Sequence, residues 1–559
     1  MKKIISFILF FTLFTIGQSF SQFTSGNIVV VRIGDGVTPL SNASAPVFLD
    51  EYTTSGGLVQ SISLPTSVNG SNYRFVNSGS ANSEGALTLS PDKLYLCLAG
   101  YDTAVGYVGI VSAAGIDRVI ARVDYLGNIN TTTKIPQTNG YNTNNIRGAV
   151  TNDGTAFWTS GTASTSSLGG VRYVTLGSTS GTSVQLSSTP TNIRCVNIFN
   201  SQLYATSASG TFQGVSSIGT GLPTTTGQTT TLLNGFPTTS GPSSYGFSIN
   251  SSGDVIYVAD DRASASGGIQ KWTLSGGTWT LQYTLNPSTS IGCRGITVDW
   301  SGANPVIYET GTDSKIYVVT DIGSGSVASV IATAGTNKVF RGIAFTPIAP
   351  AIFNLGLTAL LSGNYNGTTM VPKNVLVELH NSTTPYALVD SQTLLINTSG
   401  VSNPVFTKAV NGTPYYIVLK FDNGLETWSA TPQTFTSSTL TYDFTSAATQ
   451  AFGSNMLLVG SKWCIISGDV NQDASVDALD RSVCWNERNL SGVYASDLNG
   501  DGTVDALDRS IAWNNRNLSV QKPALLAGPN QGLRHDKKVD KNNSKVTYDL
   551  KLDGSKSKK

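Results

Sequence analysis

Two stretches near the C-terminal end carry oxygen-bearing side chains at one fixed spacing. Asp469-Val-Asn-Gln-Asp-Ala-Ser-Val-Asp-Ala-Leu-Asp480 is repeated, at an offset of 28 residues, as Asp497-Leu-Asn-Gly-Asp-Gly-Thr-Val-Asp-Ala-Leu-Asp508. Positions 1, 3, 5, 9 and 12 are Asp469, Asn471, Asp473, Asp477 and Asp480, then Asp497, Asn499, Asp501, Asp505 and Asp508. At position 7, Ser475 and Thr503 would each offer a backbone carbonyl. Hard oxygens at alternate positions of a twelve-residue loop suit calcium, which takes six to eight oxygens at roughly 2.3–2.6 Å. The expectation is two calcium ions, one per loop. Four carboxylates held together repel without a cation, so folding of this segment should be coupled to metal. A chance run of turn-forming residues would not keep all five positions in both copies.

The copies differ at position 6, where the wrapped loop needs positive φ. Loop 2 has Gly502 and loop 1 has Ala474. A non-glycine residue there costs roughly 1–2 kcal/mol, so loop 1 should bind calcium more weakly. A helix is expected after each loop, with Leu479 and Val483 on one apolar face and Leu507 and Ile511 on the other. Val476 and Val504 are expected to pack the loops against each other.

The pair of loop-helix units, Gly468 to Leu518, resembles a bacterial type I dockerin. The resemblance implies a protein partner, a cohesin-like module. In that family contact uses loop positions 10 and 11 and the helix beyond, here Ala478, Leu479, Trp485 and Asn486, and Ala506, Leu507, Trp513 and Asn514. Ala-Leu replaces the polar pair common in cellulosomal members. An intramolecular role, capping the preceding domain, therefore stands beside partner docking. With Gly424-Leu-Glu-Thr-Trp-Ser429 and Lys462-Trp-Cys464 ahead of it, the segment also looks like the C-terminal region of large surface and secreted proteins of Bacteroidetes-like bacteria.

The elements ahead of the loops are read as strands. In 22–349 a weak motif recurs, a strand, a turn and a strand ending in Tyr or Trp. Its copies are marked by Glu84, Arg147, Arg194, Tyr245, Arg294 and Arg341, at spacings of 63, 47, 51, 49 and 47 residues. A period of about 50 with several short strands per unit predicts a β-propeller. The last copy lacks outer strands and the first strands lack an inner one, so both ends should share a blade. Six blades follow, with seven as the alternative. The four arginines could form a ring around the channel that grips a carboxylated or sulfated sugar. Each could equally bridge to the neighbouring blade. Residues 350–465 read as a β-sandwich, 466–519 as the calcium module, and 520–559 as a flexible basic tail carrying nine Lys or Arg and four Asp between Arg534 and Lys559.

Lys2 and Lys3, the apolar run Ile4–Ile16 and Ser19-Phe20-Ser21 read as a signal peptide over 1–21. The rest holds no stretch able to span a bilayer, so the expected location is extracellular or at the cell surface. Charged residues are only 12% and the formal charge is +1, which argues against a nucleic-acid partner. The five Cys cannot all pair. Cys97, Cys195 and Cys293 lie in strand patterns and read as buried thiols, while Cys464 and Cys484 could pair.

Both His, His380 and His535, lie outside 22–349. That removes Ser-His-Asp chemistry and His-ligated metals from the propeller. Glu84 with Asp260 or Asp261 could supply a glycosidase pair, though no spacing singles them out. The leading expectation is a secreted or surface binding protein, with calcium-dependent docking at one end and a propeller able to contact carbohydrate. The alternatives are a secreted polysaccharide hydrolase anchored by its dockerin, and a structural surface protein.

Overall fold

A computed structural model of the chain describes residues 22–181, 183–263, 266–287 and 291–523, together with the strand backbones Arg534–Val539 and Val546–Lys551. The expected signal peptide lies outside them, as does most of the expected tail. The two late strands pair antiparallel. The described chain is mainly β, with two α-helices among the described residues. It divides into two compact units, one ending at Ala349 and one beginning at Pro350.

In the first unit the β-branched run Ile28–Ile33 is buried on both faces. It pairs on one side with Ser44–Tyr52 and on the other with Val339–Phe345, so the two ends of the unit meet in one sheet. Leu58–Ser63 adds a further strand. Ser44 to Pro46 also pair with Val76–Ser78, which runs this sheet into the next, built on Tyr95–Tyr101, Arg118–Asp124 and Ile129–Ile135. Four four-stranded antiparallel sheets follow, whose first or innermost strands are Ile146–Val150, Val196–Phe199, Ser244–Ile249 and Cys293–Asp299. Neighbouring sheets approach one another in chain order, and Val339–Phe345 approaches both Cys293–Asp299 and Thr88–Leu89.

The core lies between sheets rather than within one. Cys97, Tyr101 and Ile120 pack on Ala149 and Phe157 of the next sheet. Val150 and Trp158 likewise pack on Val196 and Leu203, and Ile28 and Val30 on Tyr308 and Ile316. Alternation leaves each strand a face toward either neighbour, so burial is continuous around the unit.

The second unit opens with two sheets. Phe353–Thr358 pairs in parallel with Thr439–Asp443 and antiparallel with Val401–Ser402 and Val405–Phe406. Lys373–Asn381 pairs with Leu388–Ile396 and Pro414–Lys420. Leu355, Leu357, Val377, Leu379, Ile417 and Phe444 belong to one buried core. All five cysteines are free and buried, so Cys464 and Cys484 are not bridged. Helices α1 (Ala478–Asn486) and α2 (Ala506–Asn514) complete the unit. No helix among the described residues is long and apolar enough to cross a membrane.

Candidate metal centre and the inner ring

Each loop is wound by its own carboxylates. Asp469 accepts from the amides of Asp473 at 3.1 Å and Ala474 at 3.2 Å. Asp497 accepts from Gly500 and Gly502, both at 2.8 Å. At position 12, Asp480 accepts from Val470 (2.8 Å), Asn471 (3.1 Å) and Asp477 (2.8 Å). Asp508 does the same for Leu498, Asn499 and Asp505 at 2.8, 3.1 and 2.7 Å. Asp477 and Asp505 cap the helices, each accepting from an amide two residues on. Asn471 and Asn499 donate to Asp473 and Asp501, which also take the hydroxyls of Ser475 and Thr503. The sequence-assigned ligands of each loop thus occupy a single wound loop.

This donor set fits calcium. Asp469, Asp480, Asp497 and Asp508 are all buried. Burial and the charge of Asp480 push the Asp469 carboxyl up to about 6. Burial, with Asp497 nearby, raises Asp508. A buried carboxylate is costly unless paired, and here its neighbours are other carboxylates. Each ionised oxygen that accepts amide bonds still has lone-pair capacity for an ion. Among the described residues no three His, Cys, Asp or Glu side chains converge on a point by themselves. An all-oxygen site also draws on Asn471, Asn499 and the carbonyls at position 7, as calcium coordination does. When bound, the ion supplies positive charge that offsets the carboxylates; it sets loop shape rather than reaction chemistry.

Three local expectations change. Val476 and Val504 do not meet in one cluster. Val476 lies with Leu425 and Ile466, and Val504 with Val470, Cys484, Leu498 and Ala512. Each position-8 backbone instead pairs with the segment after the opposite helix, Val476 with Asn517 and Leu518 and Val504 with Asn489 and Leu490. Leu479 and Leu507 are not on the inner face; both are 60% exposed. Asp480 must turn into its loop, and that rotation carries Cys484 inward and Leu479 outward. Loop 1 also strains at a second place, because Gln472 (φ 57°) and Ala474 (φ 74°) stand where loop 2 has Gly500 and Gly502.

The outward face of the helices is duplicated. Trp485 and Trp513 are 49% and 45% exposed. Arg481 of α1 lies 4.8 Å over the Trp513 ring, and Arg509 of α2 lies 4.5 Å over Trp485. Arg488 and Arg516 cover the same rings from their own copies, at 4.5 and 4.3 Å. Sequence reading missed these arginines, although Asp-Arg-Ser recurs in both copies.

The six marked residues of the first unit are partnered within the protein. Arg147 donates to Asn192 Oδ1 at 2.6 Å and to the Ile193 carbonyl at 3.0 Å. Arg194 donates to Ser243 Oγ at 2.6 Å, and Arg341 to Asn82 Oδ1 at 2.8 Å. Glu84 accepts from Asn145 Nδ2 and Tyr101 Oη, each at 2.6 Å, and from the Ser78 amide at 3.0 Å. A rule emerges. The partner stands two residues ahead of the marked residue of the next sheet: Asn82 before Glu84, Asn145 before Arg147, Asn192 before Arg194, Ser243 before Tyr245.

Tyr245 breaks the pattern. Arg194 lies 4.3 Å and Arg294 5.6 Å from its ring centre, and both reach Asp261, at 3.6 and 3.3 Å. Asp260 is taken by Arg262 and Gln270. Burial raises the Glu84 carboxyl and lowers Arg341 to about 10, with Arg294 adding repulsion. The cavity beside Glu84, Tyr245, Arg294 and Arg341 is about 40 Å³, room for a few waters at about 10–15 Å³ each.

Residues 467–515 match the family model of the dockerin type I domain, and this segment is of that type. Dockerin modules bind calcium and typically engage cohesins. No curated protein matches the chain. Solved structures similar to it include the periplasmic gluconolactonase PpgL of Pseudomonas aeruginosa, at 12% identity and TM-score 0.32, covering 68% of this chain and 99% of that one. AztD of Citrobacter koseri is 13% identical at TM-score 0.28, over 58% of this chain and 100% of its own. The Myceliophteria thermophila Cps50 (Swd1) beta-propeller domain is 8% identical at TM-score 0.26, over 61% and 94%. Overlaps this loose carry no argument about activity.

Proposed function

We propose that this is a secreted or cell-surface protein. Residues 466–519 dock it, with two calcium ions bound, onto a cohesin-like protein module. The observation that carries this is the duplicated outward face, with Leu479, Trp485, Leu507 and Trp513 exposed and the two tryptophan rings held by crossed arginines. Aromatic residues and Arg are the types enriched at protein interfaces, and clustered exposed apolar side chains mark interaction sites. Four arginines around an apolar centre favour a partner with a carboxylate-bearing rim. The test is surface binding of the full chain to a panel of cohesin modules. Binding in calcium that is lost with chelator, and lost in Leu479→Asp/Leu507→Asp, supports the reading. No cohesin bound in calcium overturns it.

The first unit we read as a six-bladed β-propeller, with both chain ends in one blade, and residues 350–465 as a β-sandwich spacer. We read the arginine ring as inter-blade bracing. A second reading, polysaccharide binding, rests on another place. A cleft of about 370 Å³ is lined by Lys93, Asn197, Phe199, Asn250 and Trp300 among others. Its size falls within the usual range of ligand sites, about 300–1,000 Å³, and its aromatic faces and amides suit a neutral sugar. Retention of the chain on neutral polysaccharides, lost in Trp300→Ala, would support it. Release of reducing ends that vanishes in Glu84→Gln would favour the hydrolase instead.

A further inference from the structure

We infer that the loop side of the calcium module is docked on the two-sheet body of its own chain, so that calcium stabilises both as one folding unit. The inference rests on the calcium reading above and goes beyond it. Asn423, fully buried in the turn after Pro414–Lys420, touches the start of both loops. Its Nδ2 donates to the carbonyl of Asp497, which opens loop 2, at 3.2 Å. Its carbonyl accepts the amide of Gly468, one residue before Asp469, at 2.8 Å. Below α2, buried Asn515 donates to the Ser467 carbonyl at 2.7 Å.

Apolar burial follows the same seam. Leu425, Ile466 and loop 1's Val476 form one cluster, with Leu457, Leu518 and Val520 against it. Thr427 pairs with Gln521, and Asn455 donates to the Ser519 carbonyl at 3.1 Å. On loop 2, a side chain at Gly500 would press into Asn364 and Val371 of the first sheets' connection. The backs of both loops are therefore covered, and the arginine–tryptophan face of α1 and α2 points elsewhere.

Coupling follows from linkage. An ion that binds only the folded loops stabilises everything that unfolds with them. The carboxylates of Asp480 and Asp508 hold the amides of Val470 and Leu498, each one residue beyond Asp469 and Asp497 and so close to the Asn423 bonds. Partner docking and self-capping thus use different faces and do not compete.

The test is amide hydrogen exchange on the full chain, with calcium or with chelator. The amides read are those of 469–480 and 497–508, the sheet strands Lys373–Asn381 and Pro414–Lys420, and Tyr95–Tyr101 as an internal reference. At calcium about 100 times the Kd of each loop, exchange in loops and sheet strands should slow together, by about 100-fold for each ion released on opening and so about 10,000-fold for two, with Tyr95–Tyr101 unchanged. Slowing confined to the loops overturns the inference and leaves calcium binding intact. Slowing nowhere overturns both. In Asn423→Ala, which removes the Nδ2 bond to Asp497 and keeps the backbone bond to Gly468, the loops should keep their response while the sheet strands lose part of theirs; an unchanged response in the strands removes the Asn423 side chain from the link. The wild-type comparison stands even if that variant fails to fold.

Discussion

The inner ring of the first unit and the calcium loops of the second are both dense in charge, and they resolve it in opposite ways. In the ring, arginines outnumber carboxylates, yet each has a partner on a neighbouring sheet or in Asp261. Arg194 and Arg294 share Asp261, while Arg147 and Arg341 rest on neutral oxygens and keep a buried Nε without a partner. In the loops, carboxylates meet carboxylates, and the protein provides only neutral amides and hydroxyls. Like charges spread over separate sheets, each with its own oxygen partner, brace a fold; carboxylates wound together into one twelve-residue loop call for an ion. That difference separates a structural cluster from a binding site better than the number of ionisable residues does.

The comparison breaks most sharply at position 12. Asp480→Ala or Asp508→Ala removes the carboxylate that winds the loop and would face the ion. Saturating calcium at about 1,000 times its Kd stabilises by about 4 kcal/mol per site, and that increment should vanish at the altered loop. Calorimetric titration would then count one ion fewer, and cohesin binding should fall. The matching change in the ring, Arg147→Ala, should leave calcium stoichiometry untouched.

Glu309 offers an effect of comparable size. It is fully buried in the sheet beside Cys293, and burial pushes its carboxyl up to about 8 from 4.5. The folded state thus holds its proton more tightly than the unfolded state does. The stability it contributes is fully present below about pH 4.5 and is lost as pH rises through about 8. At roughly 1.4 kcal/mol per pH unit of difference, the loss amounts to a few kcal/mol across that window. Melting of the first unit between pH 4.5 and 8.5 should show that slope, and Glu309→Gln should flatten it. A slope that persists in Glu309→Gln assigns it to another group.

How far these sites were legible depends on the range of the interactions. Loop winding is set by position along twelve residues, so spacing alone marked 469–480 and 497–508 as two wound loops. The pairing of Val339–Phe345 with Ile28–Ile33 could be read because each end lacked what the other had. The ring's bracing was hidden, because Asn192 and Ser243 belong to the following sheet and mean nothing until sheets are neighbours. A rule two residues ahead of each repeat position would have found them. The face of α1 was misread for a different reason. Leu479 and Val483 have helical spacing, but the loop dictates that Asp480 turns inward, and a local constraint outweighs periodicity.

A smaller effect sharpens the ring. Ser78, Tyr101 and Asn145 all donate to Glu84, so the position requires acceptors only. Glu84→Gln brings an amide NH₂ against donors and should cost about 1–3 kcal/mol, read as a lower melting temperature of the first unit. The shift should be the same with calcium and with chelator. Calcium dependence of the shift would contradict the separation drawn above.

The finest contrast is between the loops themselves. Ala474 and Gln472 hold positive φ in loop 1, whereas loop 2 has glycine at both places. The Ala474 amide also reaches its carboxylate at 3.2 Å, against 2.8 Å for Gly502. Left-handed backbone costs a non-glycine residue roughly 1–2 kcal/mol, so the Ala474 position alone should weaken calcium binding by loop 1 roughly five- to thirtyfold, with Gln472 adding to it. Ala474→Gly should recover most of that difference in a two-site titration. Glycine also loosens the unfolded chain, so the gain in melting temperature should be smaller than the gain in affinity. Two equal sites in the unaltered protein, or a tighter first loop, would mean that the strain is relieved by the contacts around Val476, and loop asymmetry would then have no functional weight.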